Sequence, residues 1–572
     1  MFQRTVSAAT SAALALIEWG SRSAPRAALL IGLVALAAFL PGFAELPVTD
    51  RDEGRYVMAT KQMLETGDFI DIRNQDLPRH KQPAGIYWLQ ALAVTLVGDG
   101  TASPIGIYRL PSLFGAVSGS LLAFWSFAPL VGRRAALMGA MLLAATLLLG
   151  VEARIAKTDA MLLATTMLGM GVLVRAFLDP AAMRASRLGY LFWVAIGCGA
   201  MIKGPLTLLV LAVGAAALCI VARGVRWLGA LRPATGILVA LAIALPWYIA
   251  ITIRTEGAFF ATALGWNALG KVTDVHQGHG GPPGFYTGLV WITFWPAAPI
   301  LAATLGWIWA ARRRREVQVL LALVLPLWIV FEAVATKLPH YVLPTYPALA
   351  MLVALALTDL GTLARGWWSR LITHGFWLMP AGLLACGIGL SVWFEGRLPW
   401  AALLPLLLAI GVGAVATAVA RRSAEAAVPV AVAAALLTWL GTWPMVARLD
   451  TFWPSPRMAA AVERAATAAC PDPRVATAGY HEPSFVFMTA TDTVLAHTPA
   501  AAAEFLAGGP CRLAFVDANP GRRGGPAPEA GFLARLEELG LRAEQVEMVE
   551  GRNLNGARLR RMGLWRLVEF NR

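Results

Sequence analysis

Ionisable side chains recur in short clusters next to apolar stretches of this chain. The clusters are Asp52, Glu53 and Arg55; His80 and Lys81; Arg154, Lys157 and Asp159; Lys203; Lys271, His276 and His279; Lys337 and His340. Near hydrocarbon, charged groups are costly unless they pair or line a wet cavity. Taken singly, each is explained more simply by snorkelling or topology marking. Together, cations beside a few carboxylates suit an anionic, membrane-bound substrate such as a lipid phosphate.

Glycine and proline accompany several of these charges. The runs are Lys81-Gln82-Pro83, Lys203-Gly204-Pro205 and Lys337-Leu338-Pro339-His340-Tyr341. Both residue types end helices and leave backbone groups free, which at membrane depth is tolerated only where protein or a cavity satisfies them. The pattern indicates the rim of a site, although an ordinary turn also explains Lys203-Gly204-Pro205 taken alone.

The elements that must position these residues are membrane helices. Of the 572 residues, 58% are hydrophobic and only 14% are charged, against about 25% charged in soluble domains. The sequence therefore predicts a polytopic α-helical membrane protein with about thirteen spans. Their approximate positions are 27–44, 110–132, 135–151, 159–176, 188–202, 204–222, 233–253, 285–311, 317–334, 341–358, 371–394, 398–420 and 426–447.

The net charge of +14 is explained by topology rather than by a nucleic-acid partner. Arginine clusters fall in alternate loops, including Arg133 with Arg134 and Arg312 to Arg315, and cytoplasmic loops concentrate such residues. The opposite side then receives the segment 45–103, the loop 254–284 and the tail after residue 447. We therefore expect the charge clusters and the tail on the periplasmic face of a bacterial inner membrane.

The first long segment, 45–103, is predicted to hold two interfacial helices. Thr49 and Asp50 are candidate caps for a helix that places Tyr56, Val57, Met63 and Leu64 on one stripe. A second apolar stretch, 86–97, is too short to cross a bilayer and is followed by glycines. Both helices are expected to lie along the membrane surface.

Residues 448–572 are predicted to form a small soluble α/β domain, following a membrane domain over 1–447. A helix is expected at 456–469, and strand-like runs occur at 475–478, 484–488, 513–516 and 564–568. Cys470 and Cys511 lie in this tail, and an oxidising periplasm predicts a disulfide between them, with two free thiols as the alternative.

At this point a family resemblance is recognisable. The run Asp52-Glu53-Gly54-Arg55-Tyr56, then Gly67-Asp68 and Lys81-Gln82-Pro83-Ala84-Gly85-Ile86-Tyr87-Trp88-Leu89, resembles the first periplasmic loop of bacterial aminoarabinose (lipid A) transferases. These belong with protein O-mannosyltransferases among the GT-C membrane glycosyltransferases. The similarity continues in order through Arg109-Leu110-Pro111, Glu152-Ala153-Arg154 with Asp159, Lys203-Gly204-Pro205, the loop from Lys271 to Pro283, and Lys337 to Pro344.

The resemblance implies roles for individual residues. Asp52 corresponds to the family's essential acidic residue, and Asp159 to its second acidic position. Phosphate of a polyprenyl-phosphate sugar donor is expected on Arg55, Lys81, Lys203 and Lys271, with Tyr341 as a hydrogen-bond donor. The remaining candidates for contacting the donor are Glu53, Arg154, His276, His279, Lys337 and His340. The sequence departs from the family in Lys81-Gln82-Pro83, where many members have Lys-Pro-Pro, and in Lys271, where others often have Arg.

The expected activity is transfer of a hexosyl or pentosyl group to lipid A, another lipopolysaccharide part, a glycan or a protein, with inversion at the anomeric carbon. A transporter or flippase of lipid-linked sugars is the alternative, and a non-catalytic scaffold is a third reading. No cofactor is predicted. A divalent metal on His276, His279 and acidic neighbours is less favoured, because two histidines three apart in a glycine-rich loop do not make a compact ligand set.

Overall fold

The computed structural model describes residues 1–263, 280–363, 366–520, 525–554 and 556–568. Eight of its helices are long and apolar enough to cross a membrane. They are Ile105–Ala145, Asp159–Leu178, Pro233–Arg254, Arg315–Ala333, Pro339–Asp359, Trp367–Glu395, Trp400–Ala420 and Ala427–Ala447. Five shorter apolar helices are Ala24–Phe39, Gly85–Val97, Gly189–Lys203, Leu206–Ala222 and Ala298–Ala310. The chain is a multi-pass helical membrane protein, and about thirteen crossings stay a prediction.

The helix Ile105–Ala145 contains two predicted spans joined at a sharp break. Gly132 has φ 79° and ψ 156°, a conformation that favours glycine, and the chain reverses there. Arg109, on the first leg, and Ala156, just beyond the second, both contact the Glu53 carboxylate. The two legs are therefore antiparallel, and both return to the same end of the helix bundle.

An additional helix, Phe2–Ser21, precedes the first predicted span. Its buried residues Val6, Ala13 and Ile17 recur at helical spacing, so one stripe packs inward while the other faces remain exposed. Arg422 contacts Gln3 at this end of the bundle, and Arg134 pairs with Glu425. Arginine-rich turns therefore cluster at the end opposite to Glu53.

The segment between the first span and Ile105 contains the two predicted short helices, Asp52–Thr66 and Gly85–Val97. A two-stranded hairpin, Arg73–Asn74 with Leu77–Pro78, lies between them. Neither Thr49 nor Asp50 caps the first helix, since its N-cap is Arg51 and has no side-chain cap bond. The Asp50 carboxylate instead contacts the tail.

The tail begins after the helix Ala427–Ala447 and is an α/β structure. Its five-stranded sheet has the order Val494–Ala496, Arg474–Ala478, Arg512–Asp517, Leu559–Leu567, Ala543–Arg552. The first three strands are parallel and the last two antiparallel. Its helices are Pro454–Ala465, Pro483–Met488, Pro499–Ala507 and Pro528–Glu538. Cys470 and Cys511 form the predicted disulfide, whereas the expected strand at 484–488 is wrong, because Pro483 opens a helical turn there.

We call the end of the bundle that carries the tail and the helix Asp52–Thr66 the tail face. Ser484 and Tyr480 of the tail reach Asp50, and Gln75 of the hairpin donates to two carbonyls of the tail. The predicted charge clusters that the structure describes all lie towards this face. The tail, residues 448–572, is therefore next to the candidate site, although the sequence predicts it as a separate domain.

Candidate active site

The site is assembled where several helices start or end at the tail face. Asp159 is the first residue of the helix Asp159–Leu178, where a carboxylate favours the positive end of the helix dipole. Lys203 is the last residue of the helix Gly189–Lys203, because Gly204 has φ 61° and Pro205 is the N-cap of the next helix, Leu206–Ala222. His340 lies in the 3₁₀ turn Pro339–Thr345. Asp159, Lys203 and His340 are distant in sequence, and these helix ends bring them together at the tail face.

These residues form a buried group with two others, which we call the lysine–carboxylate cluster: Glu152, Lys157, Asp159, Lys203 and His340. Lys203 Nζ lies 2.6 Å from Asp159 Oδ1. Lys157 Nζ lies 3.0 Å from Glu152 Oε2 and 3.7 Å from Asp159 Oδ2. The His340 ring lies 3.8 Å from Glu152 and 3.6 Å from Asp159. Two ammonium groups and a histidine thus converge on two carboxylates.

Asp52 differs from the cluster in being open to solvent. Its side chain is 66% exposed, and its nearest cation among the described residues is Arg55, at 3.9 Å. The carboxylate lies within electrostatic reach of Lys157, Tyr341 and Arg79. The Tyr341 ring lies 6.0 Å from Lys203 Nζ. Asp52 therefore lies near the cluster, and its one ion pair among the described residues is the 3.9 Å contact with Arg55.

Arg79 and two tyrosines form a further group in this region, within electrostatic reach of Asp52. The Arg79 guanidinium lies 4.7 Å from the centroid of the Tyr56 ring and donates to Tyr87 Oη at 2.8 Å. Burial raises the pKa of Tyr56 to about 12, so its hydroxyl stays protonated. Burial and the nearby Arg79 guanidinium lower the pKa of Arg55 from its usual value, and both side chains remain cationic.

Glu53 is turned away from this region although it follows Asp52. Its side chain is fully buried and accepts two bonds from Arg109, at 2.8 and 3.0 Å. Backbone N–H groups of Thr49 and Ala156 complete the carboxylate's partners. Arg109 also donates to the carbonyls of Phe43, Leu46 and Pro47. We call Glu53 and Arg109 the closed pair, because each group is saturated by protein.

Other predicted residues are held elsewhere. Arg154 is buried, donates to Pro41 and Gly150 carbonyl oxygens, and lies over the Trp443 ring. The Lys337 ammonium donates to carbonyls of Glu332 and Val334, at the end of the helix Arg315–Ala333. These contacts use the cations to satisfy free backbone groups at helix ends.

His80 lies close to Asp71, with 2.9 Å between its Nε2 and Oδ1, and Lys81 is half-buried in the turn before the helix Gly85–Val97. Lys271, His276 and His279 lie outside the described residues. The structure therefore brings together Asp52, Arg55, Asp159, Lys203, His340 and Tyr341, and it places Glu53, Arg154, His80 and Lys337 in other contacts.

Sequence reasoning missed three residues of the region. Arg79 is absent from the predicted clusters, Lys157 belongs to one of them without a predicted role, and Glu152 belongs only to a motif. A signal was present for the last two, since Glu152, Lys157 and Asp159 fall in one short stretch around a helix start. Arg79 had no such signal, because its position depends on the hairpin before the helix Gly85–Val97.

Glu152, Asp159 and His340 offer ligand atoms within 4.8 Å of one another, so we asked whether they fit a metal ion. Lys157 and Lys203 already contact these two carboxylates and balance their charge. A dication at this position would meet two ammonium groups at short range. These three residues therefore do not fit a resident metal ion.

Chemically, the region combines one accessible carboxylate with a concentration of cations and phenols. An accessible carboxylate is able to accept a proton or to stabilise a developing positive charge. Cations and hydroxyl donors stabilise negative charge that develops on a departing oxygen. The arrangement suits a displacement in which a phosphate leaves one side of a carbon and a nucleophile arrives from the other.

Comparison with known proteins bears on the same region. The family described as "Dolichyl-phosphate-mannose-protein mannosyltransferase" matches residues 93–258, which include Glu152, Lys157, Asp159 and Lys203. A protein of Pectobacterium carotovorum named undecaprenyl phosphate-alpha-4-amino-4-deoxy-L-arabinose arabinosyl transferase is 26% identical over 351 residues, 60% of this chain and 61% of that protein. A protein of the same name from Yersinia pestis is 26% identical over 339 residues, 57% of this chain and 59% of that protein.

Among solved structures, ArnT from Cupriavidus metallidurans bound to undecaprenyl phosphate has a TM-score of 0.72. Sequence identity is 20%, over 94% of this chain and 97% of that one. The alignment of this chain spans about three fifths of the length of the curated relatives. The predicted resemblance to aminoarabinose transferases and protein mannosyltransferases is therefore confirmed, and so is the fold class.

Proposed function

We propose that this chain is a glycosyltransferase that moves a sugar from a polyprenyl-phosphate donor to an envelope acceptor. The observation that carries the proposal is the exposed Asp52 carboxylate near a buried cluster that contains two lysines. The names of the similar proteins narrow the donor to undecaprenyl phosphate carrying an aminoarabinose-like sugar. Lipid A is the acceptor that the family resemblance implies.

In the proposed reaction, an acceptor hydroxyl attacks the anomeric carbon on the face opposite the phosphate. The bond from that carbon to the phosphate oxygen breaks, and the phosphate keeps the electron pair. Asp52, while ionised, stabilises the positive charge that develops on the sugar, and it takes the proton of the hydroxyl as the new bond forms. Lys203, Arg55 and Arg79 stabilise the leaving phosphate, with Tyr341 as a hydroxyl donor. The product has the inverted anomeric configuration.

We further propose that the site faces the periplasm and that the bilayer is the inner membrane. The Cys470–Cys511 disulfide lies in the tail, and disulfides persist in oxidising compartments. Arginine-rich turns lie at the opposite end, where cytoplasmic loops carry excess positive charge. An alkaline phosphatase fused after the last tail strand should be active in cells; an inactive fusion that is fully expressed would reverse the orientation.

The experiment that tests the function uses the full chain in liposomes with undecaprenyl phosphate carrying a radiolabelled sugar and purified lipid A. We expect label to become covalently attached to lipid A, as detected by extraction and mass spectrometry. Movement of label across the bilayer without bonding would indicate a transporter. Label that neither moves nor reacts would indicate a scaffold.

The decisive variant is Asp52→Asn, which keeps the shape of the side chain and removes its charge. Loss of a general base lowers rates by about 10²- to 10⁴-fold, so we expect turnover to fall at least 100-fold with unchanged membrane insertion. Asp450→Asn is the matched control, because Asp450 is 59% exposed and pairs with Arg397 outside the site. Near-normal turnover of Asp52→Asn would overturn the assignment.

A further inference from the structure

The turn immediately before Asp52 is held by the tail rather than by the membrane helices. Ser484 Oγ donates to Asp50 Oδ1 at 2.6 Å, and Tyr480 Oη lies 3.5 Å from the same oxygen. Ser455 Oγ is 2.8 Å from both hydroxyls, so the three form one network. All three hydroxyl residues are at most 1% exposed. A buried network in the tail therefore ends on a residue two positions before the candidate catalytic carboxylate.

A second contact fixes the first helical turn against the same part of the tail. A Cβ atom built on Gly54 would lie 2.6 Å from the Ser484 backbone nitrogen and 3.1 Å from the Pro483 carbonyl carbon. Any side chain at Gly54 would therefore push the two backbones apart. On the other side, Glu53 is fixed by Arg109. The turn that carries Asp52 is clamped between a membrane helix and the tail.

Between these two contacts, the backbone adopts a conformation that an L-residue avoids. Arg51 has φ 63° and ψ −84°. Such strain persists only where the surroundings hold it, and it is common at functional sites. The Arg51 guanidinium lies 4.0 Å from Glu482, which also accepts from Asn553 at 2.7 Å. Asp52 is the next residue in the chain after Arg51. A change in the Arg51 backbone angles would therefore redirect the Asp52 side chain.

From these contacts we infer that the tail is a positioning element for Asp52, with Ser484, Asp50 and Gly54 as its positioning residues. The inference rests on the proposed glycosyl transfer and adds a role for the tail in it. Without the clamp, Arg51 relaxes and Asp52 samples directions away from the cluster. Of the three cations expected to bind the donor phosphate, only Arg55 lies in this turn, whereas Lys203 and Arg79 lie outside it. The effect is therefore expected mainly in kcat and much less in the KM for the donor.

The chain offers a control that also loses contacts with the tail. Gln75 Nε2 donates to the carbonyls of Thr491 at 2.9 Å and Thr493 at 2.6 Å. Gln75 otherwise contacts Gln62, in the last part of the helix Asp52–Thr66 and away from the first turn. Gln75→Ala therefore weakens the contact with the tail without touching the clamp. Gly389→Ala is the glycine control, since nothing lies within 4 Å of a Cβ there.

The test measures transfer kinetics and hydrogen–deuterium exchange over residues 48–58 in the full chain. We expect Ser484→Ala and Gly54→Ala to lower kcat about 5- to 50-fold, to change the donor KM less than 2-fold and to raise exchange in this segment. Gln75→Ala and Gly389→Ala should stay within 2-fold of wild type in kcat. Asp50→Asn keeps an oxygen for Ser484 and should retain at least half of the kcat, whereas Asp50→Ala should behave like Ser484→Ala.

Each outcome separates this inference from the proposed function. If the wild-type chain transfers no sugar, the proposed function fails and this role of the tail falls with it. If wild type is active and both Ser484→Ala and Gly54→Ala stay within 2-fold of its kcat, only the positioning inference is wrong. If the two variants misfold, Asp50→Ala decides: folded and as fast as wild type, it also overturns the inference.

Discussion

The closed pair and the lysine–carboxylate cluster are both buried groups of opposite charges at the tail face, but they differ in saturation. Glu53 and Arg109 use their hydrogen-bonding atoms on each other and on backbone groups. The cluster instead contains a lysine held by one carboxylate oxygen and a histidine, and the exposed Asp52 lies near it without belonging to it. A buried charge is structural where its partners are complete, and available for chemistry where donors are left beside an accessible carboxylate.

The largest effect on stability is expected from opening the closed pair. Arg109→Met leaves the Glu53 carboxylate buried without its cation, and breaking such a pair destabilises by about 3–5 kcal/mol. Thermal unfolding in detergent should show this as loss of the folded fraction, with activity lost in proportion. Glu53→Gln should cost less, because the amide oxygen still accepts from Arg109. A fully stable, inactive Arg109→Met protein would contradict the division between the two groups.

The next largest effect is expected from a substitution in the lysine–carboxylate cluster, and it should lower the rate of transfer and not the stability of the fold. Lys203→Ala leaves Asp159 near Lys157 at 3.7 Å and His340 at 3.6 Å, so the carboxylate keeps partners. Removing one group that stabilises developing charge lowers kcat by about 10²- to 10³-fold. We expect that loss in the transfer assay with little change in melting temperature. A variant that unfolds as readily as Arg109→Met would show that the cluster, too, is mainly structural.

A smaller, pH-dependent effect is expected at Asp50, which belongs to neither group. Burial raises its pKa to about 6, against the lowering effect of Ser484 and Tyr480, while the Glu482 charge raises it further. The folded state therefore binds the proton more tightly than the unfolded state, so stability falls as pH rises through 6. Between pH 5 and 7.5 the loss is about 1 kcal/mol. The melting temperature of Asp50→Asn should not show this loss of stability between pH 5 and 7.5.

The smallest effect is expected from an ion pair at the surface of the same face. Arg397 and Asp450 are 3.1 Å apart, and both side chains are 59% exposed. Exposed pairs contribute about 0–1 kcal/mol. Arg397→Ala should therefore leave both melting temperature and kcat close to wild type. A loss comparable to that of Lys203→Ala would mean that charge at this face acts collectively and not through the cluster.

Much of this arrangement could be predicted because it depends on local pattern. Hydropathy predicted most of the apolar helices, and helical spacing predicted the helices Asp52–Thr66 and Gly85–Val97. Recurrent charge at span ends predicted that Asp52, Asp159 and Lys203 lie on one face, and the structure places Lys203 Nζ 2.6 Å from Asp159 Oδ1. Short strand-like runs also predicted the sheet strands around Val475 and Leu513.

The rest depends on partners that are distant in sequence. Glu53 follows Asp52 directly, and only the position of Arg109 on another helix decides that one carboxylate is closed and the other exposed. Arg79 is placed by the packing of Tyr56 and Tyr87. The run from Ser484 to Met488 is apolar enough for a strand, and its helical turn follows from Pro483 and from its docking against Gly54.

The contact between Ser484 and Asp50 spans 434 residues of the chain, which has a consequence for biogenesis. Synthesis proceeds at about 5–20 residues per second, so the first loop is made roughly 20–90 seconds before its partner exists. During that interval Arg51 has nothing to hold its strained backbone. With the tail as the positioning element inferred above, competence for transfer is acquired last, after the C-terminal sheet has folded.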